Sequence, residues 1–279
     1  MIRSIVVALD GSEHSLTALK AAIALAKPGR AEIRPLFVDD RETQRRLLVE
    51  AIPTATLDPG FRPDLSANLF QMESTIDETA DRVRAQLKSV ARGKLKLRVI
   101  DGDPVEVLVN ASMSADLIAM GRSDYAPATG PVKLGKVTRA LIRRSPCPVL
   151  AVQDGDVIRP PFLLPYSGST QSNRALRLAA ELAGALKARL EVLVVRDQPQ
   201  EARELVDEAQ RFLAPHKVKS GTTTRTGPPA DAIAECVRAK KAGLIIMGAY
   251  GRSAIAELLL GSTTEKVVEK TTCANILCT

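Results

Sequence analysis

The chain has 279 residues, 45% hydrophobic and 25% charged, enough to bury one large core or two ordinary ones of about 140 residues each. Its formal charge is +7, but with 3% aromatic residues, no Trp and no Lys/Arg block longer than two, a base-stacking nucleic-acid surface is poorly supplied. Apolar runs are too short to span a membrane, the start lacks a signal peptide's features, two histidines are too few for a metal cluster, and four cysteines without C-x-x-C spacing read as buried thiols. The expectation is a cytoplasmic protein without a membrane partner and unlikely to bind nucleic acid.

In chain order, short apolar runs at 3–9, 32–38, 95–100, 116–120 and 148–152 predict strands. They alternate with helical periodicity at 14–27, 74–91, 104–113 and 137–145, the pattern of a parallel sheet buried on both faces. The stretch 39–73 is set apart by Pro53, Pro59-Gly60 and Pro63, which rule out one continuous helix, although 42–52 suits a short one. It reads as a long loop, either a lid or interaction surface or an uninformative insertion. The segment 153–160, rich in Asp, Gly and Pro, reads as a linker. Strands follow at 161–166, 189–195, 220–225, 243–247 and 274–278.

The second series repeats the first. Ile5-Val6-Val7-Ala8-Leu9-Asp10-Gly11-Ser12 aligns with Phe162-Leu163-Leu164-Pro165-Tyr166-Ser167-Gly168-Ser169 at a constant shift of 157. Gly102-Asp103-Pro104 aligns with Gly227-Pro228-Pro229, Met120-Gly121 with Met247-Gly248, Gly135 with Gly261, and Cys147 with Cys273. Repeats with the same motifs in the same order predict two copies of one domain, 1–153 and 158–279. The basic excess falls mainly in the second: 22 Lys/Arg stand against 20 Asp/Glu through Asp156, and 17 against 12 beyond it.

The most chemically suggestive stretch follows Leu244-Ile245-Ile246-Met247: a Gly-x2-Gly-x9-Gly-Ser pattern at Gly248, Gly251, Gly261 and Ser262. A glycine loop entering a helix start suits a phosphate cradle of exposed amides. A plain glycine-rich turn before a helix capped by a Ser262/Glu265 box fits the spacing equally.

The first strand ending Asp10-Gly11-Ser12, the Gly102-Asp103-Pro104 turn, Met247-Gly248-x-x-Gly251, Leu260-Gly261-Ser262 and the final Cys147-Pro148-Val149-Leu150-Ala151-Val152 together resemble the universal stress protein family in tandem form. The resemblance covers the chain except 39–73. It implies an α/β fold of two tandem Rossmann-like (HUP-type) domains. Each would hold a five-stranded parallel sheet in order 3-2-1-4-5, with helices on both faces and ATP across the switch point between strands 1 and 4. The rule for open α/β sheets points to the same crevice. Carried over by position, Gly248, Gly251 and Gly261 would let backbone approach the phosphates, Ser262 and Thr263 would donate to them, and Met247 would meet base or ribose. Val195 would meet adenine through its backbone, Arg252 would stand at the γ-phosphate or on the solvated rim, and Tyr166 and Ser167 would close the end of the first strand. Ser167 replaces the family's usual Asp, which puts magnesium in doubt.

The first copy keeps Asp10 and Val38, but Asp124 replaces the second glycine and Lys136 the phosphate-binding Ser. The expectation is that this copy does not bind ATP, and that Lys136 pairs with Asp10 or Asp124. The resemblance also implies that the two last strands pair into an intramolecular pseudo-dimer, with a homodimer left open. No Ser/His/Asp, Cys/His or carboxylate pair is spaced for hydrolysis, so any ATPase activity would be slow and incidental.

Three rival readings stand beside this. A near Walker A run, Gly130 to Val137, lacks the hydroxyl that magnesium needs. The stretch Ser167-Gly168-Ser169-Thr170-Gln171-Ser172 is similar to the loop of adenylating ATP pyrophosphatases, but Ser169 and Gln171 depart from it, and a helix-capping turn explains it. A nucleotide-independent interaction or scaffold protein, using 39–73 as its surface, is the remaining alternative.

Overall fold

A computed structural model of the chain describes residues 2–50, 65–123, 134–249 and 262–279. The first half runs β1 (Ser4–Ala8), α1 (Glu13–Ala26), β2 (Glu32–Asp39), α2 (Arg41–Glu50), α3 (Leu65–Ala91), β3 (Arg98–Asp101), α4 (Pro104–Ser112), β4 (Leu117–Gly121), α5 (Lys136–Arg144) and β5 (Val149–Val152). The second runs β6 (Phe162–Pro165), α6 (Thr170–Ala185), β7 (Leu190–Val195), α7 (Pro199–Leu213), β8 (Ser220–Arg225), α8 (Pro229–Lys240), β9 (Leu244–Gly248), α9 (Ser262–Lys270) and β10 (Ala274–Cys278).

Each half has the anticipated order 3-2-1-4-5 and is parallel throughout. The two five-stranded units lie edge to edge in one ten-stranded sheet, β3-β2-β1-β4-β5-β10-β9-β6-β7-β8. Among the described strands the one antiparallel seam joins β5 to β10, where Leu150 faces Ile276, its own repeat equivalent. Apolar strand residues alternate between the two faces. Ile5, Val7, Leu164 and Val192 pack under α1, α3, α6 and α7. Val6, Ile118, Leu163 and Ile245 pack under α4, α5, α8 and α9. Both edges of the seam are therefore spent on each other, which removes two open ladders from solvent.

Two corrections concern the first half. Helix α3 begins at Leu65, well before the expected 74, because no proline lies between Pro63 and its end at Ala91; much of the supposed loop 39–73 is helix, with α2 on the expected short segment. Arg41 fastens the insertion: its Nε donates to Asp39 Oδ1 at 2.8 Å and its Nη2 to Asp77 Oδ1 at 2.8 Å on α3. The Arg41 hydrogen bond holds the Asp39 carboxyl below its usual range. Strand β3 is shorter than expected, and the preceding Leu95 and Leu97 still pack on the core.

Behind the seam lies Arg122, fully buried at the end of β4. Its Nη1 donates to Val268 O (2.9 Å), Thr271 O (2.8 Å) and Gln153 Oε1 (3.2 Å), and its Nη2 to Cys273 O (2.6 Å). Asp156 in the linker is the balancing charge at 3.8 Å. Carbonyls at the end of α9 lack intrahelical donors, and a cation is favoured there; the first half supplies both. Burial lowers the Arg122 pKa against the opposing pull of Asp156. All four cysteines are free and buried, and burial pushes the thiols of Cys273 and Cys278 up to about 12.

Candidate functional site

At the carboxyl ends of β6 and β9, where strand order reverses, the second half holds a cavity of about 350 Å³. Apolar Leu193, Val195, Ile233 and Met247 form much of its wall, with Tyr166, Ser167, Ser169, Thr263 and Gly248 around them. Six residues expected at a ligand site thus line one cavity: Tyr166, Ser167, Val195, Met247, Gly248 and Thr263. Ser262 is adjacent and exposed at the start of α9. Gly251, Arg252 and Gly261 lie outside the described residues.

The local chemistry differs from expectation at two points. Gly248 is needed for packing: a Cβ there would stand 2.9 Å from both Gln171 Cβ and the Ser172 backbone nitrogen, so β9 meets the first turn of α6 only without a side chain. The Ser262/Glu265 capping box is not formed. Ser262 lies within α9, and Glu265 pairs with Arg139 on α5 across the seam. The first-turn amides of α9 remain without intrahelical partners, as at any helix start.

Several hydroxyls are already oriented. Thr264 Oγ1 donates to Ala249 O (2.8 Å) and Ser172 Oγ to Ser169 O (2.9 Å). Ser167 Oγ donates to Ser169 Oγ at 3.0 Å, which leaves the Ser169 proton to turn elsewhere. Thr263 has no described partner. Arg196, which sequence reasoning missed, lines the cavity and joins two strand ends through Val195 O (2.7 Å) and Ser167 O (2.9 Å). Its position directly after the apolar run of β7 was the available signal. Among the described lining residues Arg196 is the one cation, with Glu201 3.6 Å from its Nε, and no Asp or Glu offers magnesium a carboxylate.

The first half has a larger cavity at the equivalent place, about 620 Å³, reaching under α3. Asp10 lines it, with Oδ1 accepting from Ser12 N (2.9 Å) and Ser12 Oγ (2.6 Å). The proposed Lys136 partner Asp124 lies outside the described residues. No group of His, Cys, Asp and Glu suited to a metal occurs among the described residues, and none of their helices is long and apolar enough to cross a membrane.

Comparison with known proteins places this architecture. A universal stress protein from Archaeoglobus fulgidus shares the fold over 99% of this chain and 97% of its own, with a TM-score of 0.74 at 22% identity. A Pseudomonas aeruginosa structure described as a putative universal stress protein covers 99% of this chain and 93% of its own, with a TM-score of 0.65 at 19% identity. In sequence, the universal stress protein Slr1230 of Synechocystis is 23% identical over 97% of both chains. A shorter Thermus aquaticus universal stress protein is 32% identical over 42% of this chain and 96% of its own length. The model of the universal stress protein family matches residues 1–153 and 196–278. Sheet order, paired crevices and a match over most of the chain converge: this protein belongs to the universal stress protein family.

Proposed function

We propose that the chain is a tandem universal stress protein in which domain 158–279 binds an adenine nucleotide, ATP by preference, while domain 1–153 serves as its partner. The observation that carries this reading is the donor-bearing cavity at the second half's switch point, with Arg196 and no carboxylate among its described lining residues. Leu193, Val195, Ile233 and Met247 would hold the base and ribose, and Ser169, Thr263 and the first turn of α9 would receive phosphate oxygens. The glycine motif through Gly251, Arg252 and Gly261 supports it as sequence. Magnesium does not fit as a residue-held ion here, since Ser167 stands at the end of β6; any magnesium would ride on the phosphates.

The role is regulatory and cytoplasmic rather than catalytic. A nucleotide acts by binding two conformations or assemblies unequally, and α9 is placed to transmit this because Arg122 grips its far end. The halves would work as an intramolecular pseudo-dimer through β5 and β10, so a homodimer would need another surface. Denaturing purified protein and analysing the released small molecules by mass spectrometry tests the reading. Adenine nucleotide, or a melting temperature raised by ATP, is expected. Neither appearing would favour the nucleotide-independent scaffold, the reading to which the missing carboxylate at Ser167 points.

A further inference from the structure

The two cavities differ in the sign of what they present, and the first is built for something other than a phosphate. Among its described lining residues are the carboxylates of Asp10 and Asp40 and no Lys, Arg or His. Four of its hydroxyls, all but that of Ser123, donate to backbone carbonyls. Thr75 Oγ1 donates to Gln71 O (2.8 Å) and Thr79 Oγ1 to Thr75 O (2.7 Å) along α3. Ser15 Oγ donates to Ser12 O (2.9 Å) and Thr138 Oγ1 to Gly121 O (2.9 Å). A hydroxyl has one proton and two lone pairs, so each of these four turns only acceptor capacity toward the cavity.

Donors are few by comparison. Gln44 Nε2 is already held by Asp40 Oδ2 at 2.8 Å, and the nearest fastened cation, Arg41, is taken up by Asp39 and Asp77. Among the other described donors are the Gln71 amide, the Ser123 hydroxyl and the first-turn amides of α5 at Val137 and Thr138. The rest of the surface is apolar: Leu36, Leu108 and Met120 rise from the sheet and α4, and Met72 and Ile76 face them from α3. Row 72, 76 and row 71, 75, 79 lie on neighbouring stripes of that helix, so a single element supplies an apolar wall and an acceptor rail.

We propose that the first-half cavity binds a small organic ammonium ion with an apolar body. The ammonium, which carries donors only, would be held by Asp10, Asp40 and the lone pairs of Thr75 and Thr79, with the body between Met120 and Met72. A phosphate chain would meet two carboxylates and four proton-spent hydroxyls, an uncompensated desolvation. The site stands independently of nucleotide binding in the second half.

The test uses the full chain and two probes of nearly the same shape and opposite charge, tryptamine and indole-3-acetate, in isothermal titration at neutral pH. Tryptamine is expected to bind once per chain, and indole-3-acetate at least ~10-fold more weakly, as one charge-assisted contact implies. Asp10→Asn with Asp40→Asn should weaken tryptamine by ~10-fold or more and leave ATP binding unchanged. Should that double variant not fold, Thr75→Val, at an exposed helix position, should weaken tryptamine by about 3-fold. Equal affinity for the two probes, no tryptamine binding, or binding indifferent to these substitutions would overturn the proposal. Loss of ATP binding with tryptamine binding retained would instead count against the nucleotide reading alone.

Discussion

The two halves of the sheet share a backbone and have parted in chemistry. Gly121 and Gly248 occupy the same place, and each is held there by packing: a Cβ would stand 3.0 Å from His14 Cβ in one and 2.9 Å from Gln171 Cβ in the other. Around these fixed points the side chains have gone opposite ways. The cavity in the first half is lined by Asp10 and Asp40, that in the second by Arg196. Near the foot of the sheet, equivalent strand positions carry Arg34, tied to Ser114, and Glu191, tied to Thr223 and Lys240. A duplicated fold thus keeps what its helix–strand contacts require and is free to change the sign of whatever faces a crevice or a gap.

The seam teaches a related lesson. In a symmetric dimer, positions beside the two-fold axis meet their own copies, so a charge there meets a like charge. Within one chain the equivalents can diverge, and Arg139 on α5 now pairs with Glu265 on α9. Arg122 goes further, since its equivalent position in the second half, Ala249, carries no polar side chain.

The largest expected effect comes from removing that one-sided contact. Arg122→Ala would strip the carbonyls of Val268, Thr271 and Cys273 and the Asp156 carboxylate of their buried partner and should lower unfolding free energy by ~3–5 kcal/mol in urea titration. A loss below ~1 kcal/mol would mean that the halves are joined by the β5–β10 ladder alone.

A smaller, pH-dependent effect is expected at Glu191. Burial alone would raise the Glu191 pKa, but Thr223 and Lys240 hold it below its ordinary value. A depressed carboxylate stabilises the fold above its unfolded pKa, and that stabilisation drains away as pH falls through the folded value. The stability gap between the native chain and Glu191→Gln should therefore be steady near neutrality and close in acid. Thermal unfolding from pH 7 down to about 3 would show this. A Glu191 gap that widened in acid would reverse the assigned sign.

The smallest effect belongs to the seam. Both side chains of the Arg139–Glu265 pair are partly exposed, so Arg139→Glu should cost only about 0.5–1 kcal/mol, and the swap with Glu265→Arg should recover most of it. Failure of the swap to recover stability would remove the pair as an example of divergence across the axis.

Much of this was legible in the sequence, because short, mostly apolar runs and the same motifs recur in the same order in both halves, the pattern of a repeated parallel sheet. Strand β8 falls on the expected 220–225 and β10 on 274–278. What escaped was set by distant partners. Nothing near Gly121 marks Arg122 for burial, since the carbonyls it reaches lie 146 to 151 residues away. The Ser262/Glu265 capping box failed because Glu265 finds its partner 126 residues away on α5. Helix α3 has no counterpart of its length in the second copy, so the repeat could not announce the acceptor rail of Thr75 and Thr79. Within the second-half cavity, the motif placed Met247, Gly248 and Thr263, whereas Arg196 and Ser169 emerged only with the strand ends in place.

The central claim is that one half takes the nucleotide and the other does not. Titrating the intact chain with ATP by calorimetry, alongside Ser262→Ala/Thr263→Ala and Lys136→Ala, tests it most directly. The account predicts one ATP per chain, affinity lowered ~10-fold or more by the double substitution, and none of it lost with Lys136→Ala. Two ATP molecules per chain, or binding that depends on Lys136 and not on Ser262 and Thr263, would contradict it.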